Sequence, residues 1–140
     1  MPQPLPPVAY DEVARLYDLS YTAGPQGVEE TLQHCASRAR ASRILEVGCG
    51  TGHWLGLLQG SAELYGLDSS TGMLAKARTK SPVLHLCRGE AAHLPFAAAS
   101  FDFIYCIHAI QHFGDPGNFI RQAYGLLRPG GLLAIIGIDP

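Results

Sequence analysis

The chain predicts an α/β fold: a doubly wound parallel sheet with helices on both faces. Three observations predict it. Short apolar runs alternate with helical stretches from Arg43 onward, a pattern that builds right-handed βαβ units. The run Phe101-Asp102-Phe103-Ile104-Tyr105-Cys106-Ile107 is nearly all apolar, as parallel strands covered on both faces are. The length of 140 residues, 47% apolar and 16% charged, suits one self-sufficient core and excludes a disordered, collagen-like or coiled-coil chain.

The elements follow in order. Residues 1–9 carry four prolines and read as a disordered or extended lead-in, so the folded domain is expected over residues 10–140. A first helix is expected over 10–21, with Val13, Ala14, Leu16 and Tyr17 on one uneven apolar face; Gly24-Pro25 ends it. A second is expected over 28–41, with Glu29 and Glu30 at its start and Arg38 near its end, the signs that complement a helix dipole. A strand over 44–47 runs into Gly48-Cys49-Gly50-Thr51-Gly52 and a helix holding Trp54, Leu55, Leu57 and Leu58. Strand 63–67, a helix over 70–79 with Met73, Leu74 and Ala77 inward, and strand 83–87 come next. Strand 101–107 follows. Asp115 and Pro116 supply an N-cap and a first-turn proline for a helix carrying Phe119, Ile120, Ala123, Leu126 and Leu127 at helical spacing. Pro129-Gly130-Gly131 turns the chain into a last strand over 132–138.

Composition removes several classes of function. Ten basic against 12 acidic residues leave a net charge of −2, without the basic excess that nucleic-acid binding uses to displace counterions. The small basic cluster Lys76, Arg78 and Lys80 reads as a solvated helix face. No apolar run reaches the roughly 18 residues a membrane span needs, and the start lacks the positive and apolar regions of a signal peptide; a cytoplasmic protein is expected. Cys35, Cys49, Cys87 and Cys106 never approach a C-x-x-C spacing. Reduced thiols and no metal are expected.

The glycine loop after the first strand carries the chemistry. Three glycines in five positions leave backbone N–H groups uncovered beside a helix start, where a ligand can approach closely. A dinucleotide fingerprint wants G-x-G-x-x-G; here the third glycine falls one residue early, at Gly52, and His53 takes its place. Glu46, two positions before the first glycine, would repel a pyrophosphate and suit an ammonium. Asp68, 20 residues beyond Gly48 at the end of the second strand, can accept both hydroxyls of an adenosine ribose. The pair describes an adenosine ligand with a cationic amine and no diphosphate, which S-adenosyl-L-methionine is and NAD is not.

The run Ile44-Leu45-Glu46-Val47-Gly48-Cys49-Gly50-Thr51-Gly52 resembles motif I of the class I S-adenosylmethionine-dependent methyltransferases. The resemblance continues through Gly66-Leu67-Asp68-Ser69-Ser70 and Met73, through Gly89-Glu90-Ala91 with Leu94-Pro95-Phe96, through Ser100-Phe101-Asp102, and to Leu126-Leu127-Arg128-Pro129-Gly130-Gly131. It is most similar to the ubiquinone/menaquinone-biosynthesis-like group, whose N-terminal Tyr-Asp-x-x-Ala-x-x-Tyr-Asp pattern is matched by Tyr10, Asp11, Ala14, Tyr17 and Asp18.

This resemblance implies a Rossmann-like sheet of strand order 3-2-1-4-5 and S-adenosyl-L-methionine as cofactor. It implies that Gly48, Cys49, Gly50 and Gly52 form the loop under the methionyl part, with Glu46 bonding its amino group directly or through water. Asp68 would hold the ribose diol, with Ser69 and Met73 beside the adenine and Glu90 and Ala91 at its edge. Ile107 and His108 would line the reacting end, while Tyr10 and Tyr17 close over the cofactor. His108 and His112, after the fourth strand, are candidate general bases, since imidazole titrates near neutrality. The implied reaction is in-line methyl transfer to a small-molecule acceptor, for which the protein supplies orientation and a shaped pocket; the alternative is a cofactor-binding module without turnover. The family finishes its sheet with two further strands beyond the fifth. A C-terminally truncated domain is therefore expected, or else a homodimer that covers the fifth-strand edge.

Overall fold

The structure, a computed structural model, describes residues 27–60 and 62–137. The expected lead-in and first helix, including Tyr10 and Tyr17, lie outside them.

Helix α1 (Val28–Arg38) starts after Gly27 and buries Val28 and Leu32. It stops three residues short of the expected end. Arg40 turns left-handed at φ 49°, and the N–H groups of Arg40 and Ala41 reach back to the carbonyls of Ser37 and Ala36. That pairing closes a helix with its own backbone, here without glycine.

Strand β1 (Arg43–Val47) is followed by α2, a single turn (His53–Gly56), where a longer helix was expected. Strand β2 (Glu63–Asp68) leads into α3 (Thr71–Lys80), whose N-cap Ser70 accepts from the Met73 N–H at 3.2 Å. Met73, Leu74 and Ala77 face inward as expected. Strand β3 (His85–Arg88) begins two residues late, where His85 pairs with Tyr65 of β2, and Val83 is left exposed. Strand β4 spans Phe101–Ile107, the expected range. Asp115 caps α4 (Pro116–Leu126) by accepting from the Asn118 N–H at 3.0 Å. Of its expected apolar face, Phe119, Ala123 and Leu126 are buried, whereas Ile120 turns outward beside the exposed Tyr124.

Strand β5 (Leu127–Ile136) starts five residues before its expected beginning. Phe101 pairs with Leu127 and Phe103 with Leu132, so Pro129-Gly130-Gly131 forms a bulge inside the strand.

All four strand pairings are parallel and the order is β3-β2-β1-β4-β5, as the resemblance implied. Two apolar layers cover the sheet. On one face Ile44, Phe103 and Tyr105 meet Leu32 of α1 and Leu55 of α2; on the other Leu45, Val47 and Ile104 meet Phe119 and Ala123 of α4. The direction of winding reverses between β1 and β4, and ligands in such sheets sit outside the strands' carboxyl ends at that reversal.

Below the sheet, Asp102 ties three segments together. It accepts from the N–H groups of Ser42 and Arg43, at 2.9 and 3.0 Å, and from Arg128 at 3.2 Å. No helix among the described residues is long and apolar enough to cross a membrane.

Candidate functional site

A pocket of about 780 Å³, counted to its open mouth, lies at that reversal. Four segments build it: Val47, Gly48 and Gly50 at the end of β1; Leu67, Asp68 and Ser69 at the end of β2, with Met73 of α3; residues 89–92 after β3; and Ile107, His108, Ala109, His112 and Phe113 at the end of β4.

The glycine loop forms the floor. Gly48 has φ 78°, and a Cβ there would stand 3.0 Å from the Ala109 Cβ, so only glycine lets β1 and the loop after β4 approach this closely. The N–H groups of Gly48 and Cys49 both donate to the Leu67 carbonyl, at 2.8 and 3.0 Å. Asp68 completes the brace: Oδ2 accepts from the Gly50 N–H and Oδ1 from the Ser70 N–H, each at 2.9 Å. A carboxylate offers about four acceptor positions, so each oxygen keeps one for a ligand.

Most of the expected residues converge on this pocket. Gly48, Gly50, Asp68, Ser69, Met73, Glu90, Ala91, Ile107, His108 and His112 all line it. Three do not. Glu46 is buried on the opposite face of β1, where its Oε1 accepts from the Tyr105 hydroxyl at 2.9 Å. Cys49 turns its side chain toward β2, so that a Cβ on Gly66 would meet its Sγ at 2.8 Å. Gly52 caps α2 in a left-handed conformation. Phe113, Ala109 and Ala92 line the pocket without having been singled out; they offer small or apolar surface, which carries no signal of its own in a sequence.

Burial perturbs three titratable groups on β1, the loop after it and β4. Burial pushes the Glu46 carboxyl well above its ordinary value and the Asp68 charge pushes the same way, against the bonds from Tyr105 and the Leu55 amide. Burial likewise raises the Cys49 thiol strongly, and with help from Glu46 it lifts Cys106 to about 12, so these are inert packing groups. His108, at the end of β4, holds φ 50° and donates its N–H to the Ile136 carbonyl at 2.8 Å. A left-handed conformation at a non-glycine residue is strained, and such strain concentrates at binding sites.

The sequence matches the methyltransferase-domain family over residues 45–135. The chain belongs to that family. It is 33% identical over 99 residues to a malonyl-[acyl-carrier protein] O-methyltransferase of Enterobacter lignolyticus, covering 68% of this chain and 38% of that protein. It is 30% identical over 132 residues to a demethylmenaquinone methyltransferase of Beutenbergia cavernae, covering 90% of this chain and 55% of that one. Among solved structures, a SAM-dependent methyltransferase of Aquifex aeolicus superposes with a TM-score of 0.76 at 20% identity, over 92% of this chain and 72% of that chain; at that identity the likeness is one of fold. The chain spans between 38% and 55% of the length of the first curated relatives it matches. S-adenosyl-L-methionine is the cofactor that the family relationship implies.

Proposed function

We propose that this methyltransferase domain binds S-adenosyl-L-methionine in the pocket at the β1–β4 reversal and directs methyl transfer to a small-molecule acceptor. One observation carries the reading. Among the described residues, the pocket's lining holds two carboxylates, Asp68 and Glu90, beside a glycine loop and contains no lysine or arginine. A diphosphate would meet repulsion there; a ligand with an ammonium, a sulfonium and a ribose diol meets the right charge.

The cofactor fits the residues present. Gly48 and Gly50 supply a floor without side chains for the methionyl part, and the spare acceptor positions of Asp68 suit the ribose hydroxyls. Ser69, Met73, Glu90 and Ala91 form the adenine side, while Ile107 and His108 border the reacting end. Cys49 and Gly52 act by holding the loop's shape. Glu46 supports that loop from the far face of β1 instead of bonding the amino group directly. When bound, the cofactor supplies an activated methyl group on a sulfonium centre, which needs orientation more than it needs an activating residue. Phe113 gives that end of the pocket an apolar wall and holds water back. His112 and His108 are the groups placed to take a proton from an acceptor hydroxyl or amine.

Ligand-dependent melting tests the reading. S-adenosylhomocysteine at about 100 times its dissociation constant is expected to stabilise the domain by ~2.7 kcal/mol, with NAD giving no shift. Stabilisation by NAD, or by neither ligand, sinks the proposal. Formation of S-adenosylhomocysteine from bound cofactor in the presence of a small-molecule acceptor separates an enzyme from a binding module.

A further inference from the structure

We propose that Gln122, with Asn118 one turn before it, is a positioning residue that shapes the pocket wall of residues 89–92 and thereby the site's hold on the adenine. The inference rests on the cofactor reading above and assigns a role to two residues of α4 that do not line the pocket.

The wall needs outside support. Residues 89–100 form no helix or strand, and the first part of this segment is held by few backbone bonds, among them Gly89 N–H to the Asp68 carbonyl at 3.0 Å and His93 N–H to the Glu90 carbonyl at 3.1 Å. Helix α4 takes three more of its polar backbone groups. The Gln122 Nε2 donates to the carbonyls of Ala91 and Ala92 at 3.0 and 2.8 Å, while its Oε1 accepts from the Leu94 N–H at 2.8 Å. The Asn118 Nδ2 adds a bond to the Ala92 carbonyl at 3.1 Å.

Only one orientation of the Gln122 amide satisfies all three partners, because the two carbonyls require donors and the N–H requires an acceptor. Asn118 and Gln122 are four apart and share a helix stripe. The helix beneath them is anchored by Phe119 and Ala123, both fully buried in the core. A rigid helix therefore fixes a loop of irregular backbone, and that loop presents Gly89, Glu90, Ala91 and Ala92 to the pocket. Without the Gln122 amide the Ala91 carbonyl and the Leu94 N–H lose these partners together and the Ala92 carbonyl keeps only Asn118, so the wall is free to drift from the ligand.

The test compares two ligands by calorimetry on the full chain: S-adenosylhomocysteine, and S-ribosylhomocysteine, which lacks the adenine. Gln122→Ala is expected to weaken S-adenosylhomocysteine about tenfold and to leave S-ribosylhomocysteine within about twofold. Gln122→Glu keeps the acceptor for Leu94 and loses both donors, so it falls between wild type and Gln122→Ala. Asn118→Ala removes one bond and gives the same selectivity at smaller size, which decides the matter if Gln122→Ala does not fold. Equal loss for both ligands, or no loss for either, overturns the positioning role while leaving the cofactor reading standing. Failure of the wild-type chain to bind S-adenosylhomocysteine overturns both.

Discussion

The Tyr105 hydroxyl donates to Glu46 Oε1 at 2.9 Å between β4 and β1, with both side chains sealed from solvent. The two residues are register partners across the parallel pair, so the bond runs directly from strand to strand beneath the glycine loop. Burial raises the titration of both groups; the Glu46 charge raises Tyr105 further, whereas the Tyr105 bond favours the charged form of Glu46.

Tyr105→Phe is expected to cost about 1–2 kcal/mol by taking one donor from a buried carboxyl. A raised folded pKa contributes stability that is complete below the ordinary glutamate value and is lost as pH rises through the folded value. Wild type should therefore lose stability relative to Glu46→Gln as pH rises from about 4.3 upward. Tyr105→Phe carries that loss to still higher pH, because the bond it removes favours the charged form. Urea unfolding at a series of pH values reads both effects. A pH-independent difference between wild type and Glu46→Gln would contradict them.

Asp102 has the opposite sign. Burial pushes its carboxyl up, but the amides of Ser42 and Arg43, the Ser42 hydroxyl and the Arg128 charge outweigh it and hold the value below the ordinary aspartate range. Its contribution is present above that range and disappears as pH falls through the lowered folded value. Asp102→Ala should cost about 2–3 kcal/mol at neutral pH, with the gap to wild type closing in acid. A gap that persists at the lowest pH where the fold survives would show that the bonds do not depend on the charge.

Gly66→Ala should destabilise the sheet by about 1–3 kcal/mol, the cost of overpacking, since its Cβ would meet Cys49 Sγ at 2.8 Å and Leu86 Cδ2 at 3.1 Å. Cys49→Ala should recover part of that loss in the double variant, because it removes the nearer contact. Chemical denaturation of the four proteins gives the coupling. Simple additivity would place the clash elsewhere.

The parts of the fold legible in the sequence are those with strong local contrast. Strand β4 announces itself by an apolar run, α4 by Asp115 and Pro116, and the ligand loop by glycines whose left-handed backbone other residues resist. What escaped depends on partners distant in the chain. The Arg40 turn that ends α1 uses a residue ordinarily poor in that conformation. The early start of β5 needs the bulge opposite Phe101 and Phe103. Glu46 was expected toward the ligand, yet β1 is covered on both faces, so its alternation has no polar side to show which way a residue points. Gln122 is silent for a similar reason: its partners lie about thirty residues away in a loop without periodicity.

In the proposed function the carboxylate of Asp68 holds the ribose of an adenosine ligand at the glycine loop. Titration of the chain with S-adenosylhomocysteine, beside Asp68→Ala, tests it most directly. Wild type is expected to bind one ligand per chain saturably, and Asp68→Ala, still folded, to bind at least about tenfold more weakly. Wild type that does not bind, or a folded Asp68→Ala that binds as tightly, would contradict it.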